Sequence, residues 1–308
     1  MLKHRWFQGS DRGTIGTSPP AAIGRSTALI RLIRPRQWLK NALVFAALLF
    51  SGRLADPAST WLAVQAFIGF CLASSAVYCL NDALDVNEDR KHPKKRLRPV
   101  AAGVISPSQA LVIAVALGGL AVIVGFGLHV EVGLIIVLYL GINVLYCLTL
   151  KHAVLLDVMA IAAGFVLRAI GGAVAIQVQI SLWFLVCIPL LSLLLAVAKR
   201  RHELVTVDEA TEHRGVLNDY PHQLLDQLIA VLSASVIMAY LLYAMDSARP
   251  YLFMLTSPLI MYGVFRYLYL VYHRVEGGSP EELLFADVPL LVTVACWVVA
   301  IAVIIYLA

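Results

Sequence analysis

Asn81, Asp82, Asp85 and Asp89 close a long apolar run, and Arg90, Lys91, Lys94, Lys95, Arg96 and Arg98 follow at once, in the stretch YCLNDALDVNEDRKHPKKRLRPVAAGVIS from Tyr78 to Ser106. On a helix, residues four apart share a face, so Asn81, Asp85 and Asp89 line one stripe and Asp82 lies on its neighbour. Three carboxylates this close repel one another unless they share a cation. Mg2+ is the natural candidate, because it takes few carboxylates and leaves its other positions to water and phosphate oxygens. The cations that follow have two readings. They hold a loop against anionic lipid, or they clamp a polyphosphate that the metal also binds. Pro93 and Pro99 disfavour a regular helix there, so the loop can fold back over the acids.

Other candidates lie at the ends of neighbouring apolar runs. Arg34, Arg36 and Lys40 sit at the entry to the first run, Lys151 follows the fourth, and Lys199 and Arg200 end the sixth. Each alone is an ordinary interfacial anchor, but at four successive helix ends together they argue for a polyanion site. Tyr146, with Tyr78 and Tyr139, points towards the same end, and its hydroxyl could bind a phosphate. Inside the fifth run, Asp157 and Arg168 are eleven residues apart, which on a helix places them within about 20° of one side and about 16 Å apart along the axis. Charges at such depth are costly and face polar cavities. Asp157 is placed to meet a substrate hydroxyl or a metal-bound water, whereas Arg168, beside Gly171 and Gly172, reads as structural. His92, His152 and His202 lack zinc-like spacing, and the five cysteines sit singly within apolar segments as packing residues.

The elements that must position these groups are membrane spans. Of 308 residues 60% are hydrophobic and 14% charged, with a mean hydropathy of +0.83; a soluble domain carries about 25% charged residues. Nine apolar runs are predicted, at about 38–55, 60–80, 108–127, 131–149, 153–175, 181–198, 227–246, 251–272 and 287–307. Lipid forces each to satisfy its own backbone, so the fold class is an all-α polytopic membrane protein. With the N-terminus inside, 20 of the 24 Lys and Arg fall on the inner side, Arg53 and Arg249 on the outer, and Arg168 and Arg266 within runs. That asymmetry predicts an N-in, C-out topology. Trp38, Trp61 and Trp183 begin their runs, as interfacial anchors do. The segment 1–28 has no apolar h-region, so it reads as a mobile cytoplasmic tail ahead of a catalytic domain at 29–308.

The run NDALDVNEDRKHPKKRLRPVAAGVIS resembles the first aspartate-rich motif of the UbiA superfamily of intramembrane prenyltransferases, and the resemblance spans about residues 30–308. Four further stretches, RPRQWLKN (34–41), LKHAVLLDV (150–158), KRRHEL (199–204) and GGSPEELLFAD (277–287), are most similar to the branch that transfers phosphoribose to a polyprenyl phosphate. The resemblance implies a nine-helix fold in the cytoplasmic membrane, Mg2+ as cofactor, and an active site at the cytoplasmic face. Its implied substrates are phosphoribosyl pyrophosphate and a polyprenyl phosphate, for a cell-envelope precursor. On this reading Asn81, Asp82, Asp85 and Asp89 hold the metal, and Asp82, Asp85 and Asp157 are catalytic. Arg34, Arg36, Lys40, Lys95, Arg96, Arg98, Tyr146, Lys151, Lys199 and Arg200 bind substrate phosphates.

The family's second motif, D-x-x-x-D, has no strict counterpart. Its place reads AKRRHELVTVDEATEHR, where Glu203 is the candidate for a second acidic site. More cations and fewer acids suit a site that holds several phosphates from two substrates. The lipid phosphate is ionised at neutral pH, so the transfer requires no general base. Three other readings stay open. One is an aromatic-acceptor prenyltransferase of the 4-hydroxybenzoate type. Another is a transporter, which would need charges accessible from both faces. The last is a scaffold that uses its basic loops on anionic lipid. Nucleic acid is not an expected partner, and lipid chain length and self-association are not legible.

Overall fold

The computed structural model describes residues 24–179, 181–206, 219–273 and 280–306, and among these every regular element is a helix. Helix α1 (Arg25–Ile33) leads into a 3-10 helix (Pro35–Phe45) that continues as α2 (Ala46–Phe50). There follow α3 (Pro57–Leu84), α4 (Val86–Lys91), α5 (Pro107–Leu128), α6 (Val130–Leu148), α7 (Leu156–Ala175) and α8 (Leu182–Thr206). The chain ends with α9 (His222–Asp246), α10 (Pro250–Met254), α11 (Ser257–His273), α12 (Pro280–Ala286) and α13 (Val288–Tyr306). Helix α1 starts inside the predicted tail, and Ala28 is already fully buried. The tail before residue 24 lies outside the described residues.

Among the described residues, eight helical segments are long and apolar enough to cross a membrane, and they match eight of the nine predicted runs. The difference is the first run. Pro35 opens it and polar Gln37, Lys40 and Asn41 interrupt it, so it winds as an 11-residue 3-10 helix before five residues of α-helix. A 3-10 helix rises about 2.0 Å per residue against about 1.5 Å, so Pro35–Phe50 still reaches about 30 Å, the thickness of the hydrocarbon layer. On its 3-10 stretch the buried positions, Asn41 and Val44, are three apart, as side chains on a 3-10 helix must be to share a face, and Ala47 and Leu48 are buried beyond them on α2. The slim helix lies against α7, where a Cβ at Gly172 would collide with the Val44 carbonyl. Glycine at 172 is what allows that approach.

Helices α3 and α5 pack through small residues, as association in lipid favours. A Cβ on Gly118 of α5 would lie 3.7 Å from that of Ala76 of α3, one on Gly69 would meet Val124 at 3.5 Å, and Ala66 and Ala73 share a cluster with Ala121. Both helices are fixed at their starts. Asp56 caps α3 by accepting from the Ala58 and Ser59 amides, and the Ser59 hydroxyl donates to the same carboxylate and holds it below its usual range. Ser106 and Gln109 form a capping box at α5. Helices α6, α7, α8 and α9 follow in order round the bundle, and α13 returns to α2. The ring brings the far ends of α3, α6 and α8, and the near end of α7, to one end of the molecule.

Candidate active site

Asp82, on the last turn of α3, is 1% exposed. Its Oδ1 accepts from Arg34 Nη2 at 2.5 Å and Arg98 Nη1 at 3.2 Å, while its Oδ2 has no hydrogen-bond partner. Arg34 stands between α1 and the 3-10 helix with φ 50°, a left-handed backbone that costs an L-residue about 1–2 kcal/mol. That turn swings its guanidinium over the Tyr78 ring, 4.8 Å from the centroid, and onto Asp82. Arg98 lies in the loop between Pro93 and Pro99, and the loop does fold back. The Arg98 Nη1 also donates to Asp89 Oδ2 at 2.7 Å, so one guanidinium joins Asp82 to Asp89.

The other two members of the acidic run face α6 and α7. Asp85 accepts from Lys151 Nζ at 2.5 Å, and Asn81 Oδ1 lies 3.6 Å from Cys147 Sγ. Asn81 and Asp85 therefore share a face, as their spacing predicts, but Asp89 joins Asp82 instead. Among the described residues no three His, Cys, Asp or Glu side chains are gathered closely enough to hold a metal ion by themselves. The acids are spread between cations.

A second cluster lies across the last turn of α6. Arg200, 3% exposed, donates from Nε to Asp157 Oδ2 at 2.7 Å and from Nη1 to Glu203 Oε2 at 2.5 Å. Its Nη2 reaches Tyr146 Oη at 3.4 Å. Asp157 is fully buried, and its Oδ1 accepts from Tyr220 Oη at 2.7 Å and from the Val158 amide at 2.8 Å. The Tyr220 hydroxyl in turn accepts from the Leu155 amide at 2.6 Å, at a residue whose φ is 66°. Burial, then the bond to Asp157, pushes the Tyr220 phenol up to about 12. Since Tyr146 meets Arg200 while Cys147 meets Asn81, two adjacent residues of α6 join the clusters.

The match to known sequences follows this geometry. The UbiA prenyltransferase family profile covers residues 42–286. The chain belongs to the UbiA prenyltransferase family. Decaprenyl-phosphate phosphoribosyltransferase of Mycolicibacterium smegmatis is 34% identical over 295 residues, 91% of this chain and 93% of that protein. The protein of the same name from Corynebacterium glutamicum is 34% identical over 300 residues, 94% of this chain and 89% of that protein. A UbiA homolog from Archaeoglobus fulgidus, bound to GPP and Mg2+, superposes with a TM-score of 0.72 over 90% of this chain and 99% of that one. At 20% identity that likeness establishes the fold.

Several expected site residues of this UbiA-family membrane protein take other places. Asp157 is fully buried, with Arg200 on one oxygen and Tyr220 and the Val158 amide on the other, so it stands behind the site rather than facing a substrate hydroxyl. Arg200 is likewise enclosed by partners and offers no open face to a phosphate. Tyr139 does not reach the site: its hydroxyl accepts from Arg168 Nη2 at 2.7 Å, deep in the bundle. Arg168 is structural as expected, and it also donates to Asn41 Oδ1 at 2.6 Å, tying α7 to the 3-10 helix. Trp38 is not an interfacial anchor, since its Nε1 donates to Ser75 Oγ at 3.0 Å inside the bundle. Lys40, Lys95 and Lys199 are half-buried and engaged at the same end, with Arg36 and Arg96 exposed there. The run GGSPEELLFAD lies partly outside the described residues, but its Asp287 pairs with Arg266 at 2.8 Å. Tyr220 was missed, and its signal in the sequence is slight: a tyrosine before Pro221 at the start of a span.

Proposed function

We infer that this protein transfers 5-phosphoribose from phosphoribosyl pyrophosphate to a polyprenyl phosphate and releases pyrophosphate. The observation that carries the reading is the likeness to decaprenyl-phosphate phosphoribosyltransferases over nine-tenths of the chain. The geometry supports it, because one end of the bundle collects cations that each hold a carboxylate while keeping solvent access. Side-chain exposure is 23% for Arg34, 25% for Arg98 and 14% for Lys151.

Mg2+ fits the residues present. Asp82 Oδ2 is a buried anionic oxygen with no partner, the kind of atom a hard cation satisfies. Asp82 would hold the ion, with Asn81, Asp85 and Asp89 beside it. When bound, such an ion neutralises charge that develops on a leaving pyrophosphate.

The chain's own residues do the remainder. Arg34, Arg98 and Lys151 can turn from carboxylate to phosphate oxygens, and Arg binds both in the same fork geometry. Lys95, Arg96, Lys199, Arg36 and Lys40 surround them and raise the local concentration of anionic substrates. The lipid phosphate oxygen attacks the anomeric carbon as that carbon's bond to pyrophosphate breaks, and the bonding pair leaves with the pyrophosphate. The attacking oxygen is already ionised, so no side chain need remove a proton. Asp157, Arg200 and Tyr220 hold the α7–α8 wall, and Tyr146 with Glu203, in place. We assign the site to the cytoplasmic face of the membrane with the N-terminus inside, supported by the 20 cations on that side against two on the other.

Purified protein given Mg2+, radiolabelled phosphoribosyl pyrophosphate and decaprenyl phosphate should form one labelled lipid. Absence of that lipid, with prenylation of 4-hydroxybenzoate in a parallel reaction, would overturn the assignment.

A further inference from the structure

The acids on the two sides of α6 are neutralised by different kinds of cation. Asp82, Asp85 and Asp89 face Arg34, Arg98 and Lys151, all partly exposed, and one oxygen, Asp82 Oδ2, is left without a partner. Asp157 and Glu203 share a guanidinium whose side chain is 4% exposed. That guanidinium uses a separate nitrogen for each of Asp157, Glu203 and Tyr146. Asp157 is fully buried and also accepts from Tyr220 and the Val158 amide. Two carboxylates from two helices would otherwise be ready ligands for a divalent ion. An ion arriving there would have to expel a buried guanidinium and leave it without a counter-charge, which a protein interior penalises heavily. On the Asp82 side the cations can swing into water or onto phosphate.

We propose that Arg200 is a resident cation standing where a metal ion would bridge Asp157 and Glu203, so that the enzyme uses one exchangeable divalent ion, held on the Asp82 side. The proposal rests on the reading above, in which Asp82 faces Mg2+ and pyrophosphate. It makes Arg200 a positioning residue: it fixes the Tyr146 hydroxyl and Glu203 and neutralises the acids that lie furthest from exchange. It also makes the two sides of the site unequal, one loaded with each substrate and one permanent.

Equilibrium dialysis of the full chain in detergent against Mn2+ and inorganic pyrophosphate, beside a protein-free control, counts both species per chain. One Mn2+ and one pyrophosphate are expected. A lost ligand costs at least the roughly tenfold in affinity that a lost partner of a ligand does, so Asp82→Asn should raise the Mn2+ Kd about tenfold or more. Glu203→Gln should leave the count at one and the Kd within about threefold, because its carboxylate serves Arg200 and not the ion. Glu203 is 25% exposed, so this variant does not depend on a risky core change. Two Mn2+ per wild-type chain, with one lost in Glu203→Gln, overturns the resident cation and leaves the Asp82 site standing. Binding that ignores Asp82→Asn, or no protein-dependent Mn2+ at all, overturns the underlying reading and the proposal with it.

Discussion

The two ends of the bundle use arginine in opposite ways. At the end opposite the candidate site, the outer one on the proposed orientation, Arg53 Nη1 donates to the carbonyl of Ile176, which caps α7, at 3.1 Å, and Arg249 donates to the carbonyl of Ile304 near the end of α13. Cations on the last carbonyls of a helix complement its dipole and stay there. Around them Phe50 packs on Phe184, Tyr243 and Trp297, and the Tyr306 hydroxyl bonds the Leu48 and Leu49 carbonyls. That end is stitched shut. At the inner end Arg90 also fastens a carbonyl, that of Ala101, but Arg34, Arg98 and Lys151 pair with carboxylates, which a metal ion or a phosphate can compete for. A guanidinium on a helix-end carbonyl is a fastener, whereas on the proposed function the partly exposed ones on Asp82 and Asp89 are placeholders for substrate.

The sharpest way to break this contrast is Asp82→Asn. It keeps the shape and an acceptor for Arg34 but removes the charge that a divalent ion needs. Phosphoribosyl transfer should fall by about a thousandfold or more, with the thermal midpoint in detergent nearly unchanged; a rate within about tenfold of wild type would remove Asp82 from the centre of the site. Asp157→Ala tests the permanent side by the opposite signature. Removing one partner of a buried ion pair costs about 3–5 kcal/mol, so thermal stability should drop first. Lys151→Ala comes next, because its partner Asp85 is 18% exposed and the ion pair itself is dispensable. A hydrogen bond to a charged group is worth about 1.5–3 kcal/mol, so KM for the donor should rise by about ten- to a hundredfold with stability held.

What the amino-acid order shows and what it hides divides along the same line. The span pattern is legible because lipid demands long apolar runs, and the acidic run with its returning basic loop is legible because all its members lie within about twenty residues. Even there the helix ends at Leu84, so which acid joins which cation depends on the third-dimensional placement of Arg34 and Lys151. The closure of Arg200 is only partly legible: Glu203 lies three residues on along α8, but Asp157 and Tyr146 come from α7 and α6 and nothing in their spacing marks them as its partners. The first span is half legible. Its apolar length is visible, but its slim winding depends on Gly172 and on Asn41 finding Arg168 across the bundle.

Tyr220→Phe sharpens the permanent side without removing a charge. The variant loses a bond to Asp157 and an acceptor for the Leu155 amide, for a cost of about 1–3 kcal/mol. Its pH signature has a definite sign. The folded phenol is pushed up to about 12 from an ordinary 10.0, so the neutral form contributes fully below pH 10.0 and that contribution is lost as pH rises towards 12. Wild-type midpoints should therefore fall between those values more steeply than those of the phenylalanine variant. Parallel curves would place the phenol outside the coupled network.

The smallest effect is expected from the outer arginines, and its smallness is the test. Arg53→Gln loses an exposed cation from the end of α7, an interaction worth about 0.3–1 kcal/mol. Helix α7 has 20 residues, so at about 1.5 Å per residue Asp157 lies about 30 Å from the Ile176 carbonyl. Over that distance the charge itself does not act on the inner site, and the only route is mechanical, through α7 as a rod. The inner end of that rod is independently fixed by Arg200 and Tyr220 and its middle by Arg168, so a loosened outer cap should be absorbed before it reaches Asp157. Transfer rates of Arg53→Gln and Arg249→Gln should stay within about twofold of wild type, a barrier change of under about 0.5 kcal/mol. A tenfold loss in either would mean that the two ends are coupled, and that the outer fasteners set the geometry of the inner placeholders.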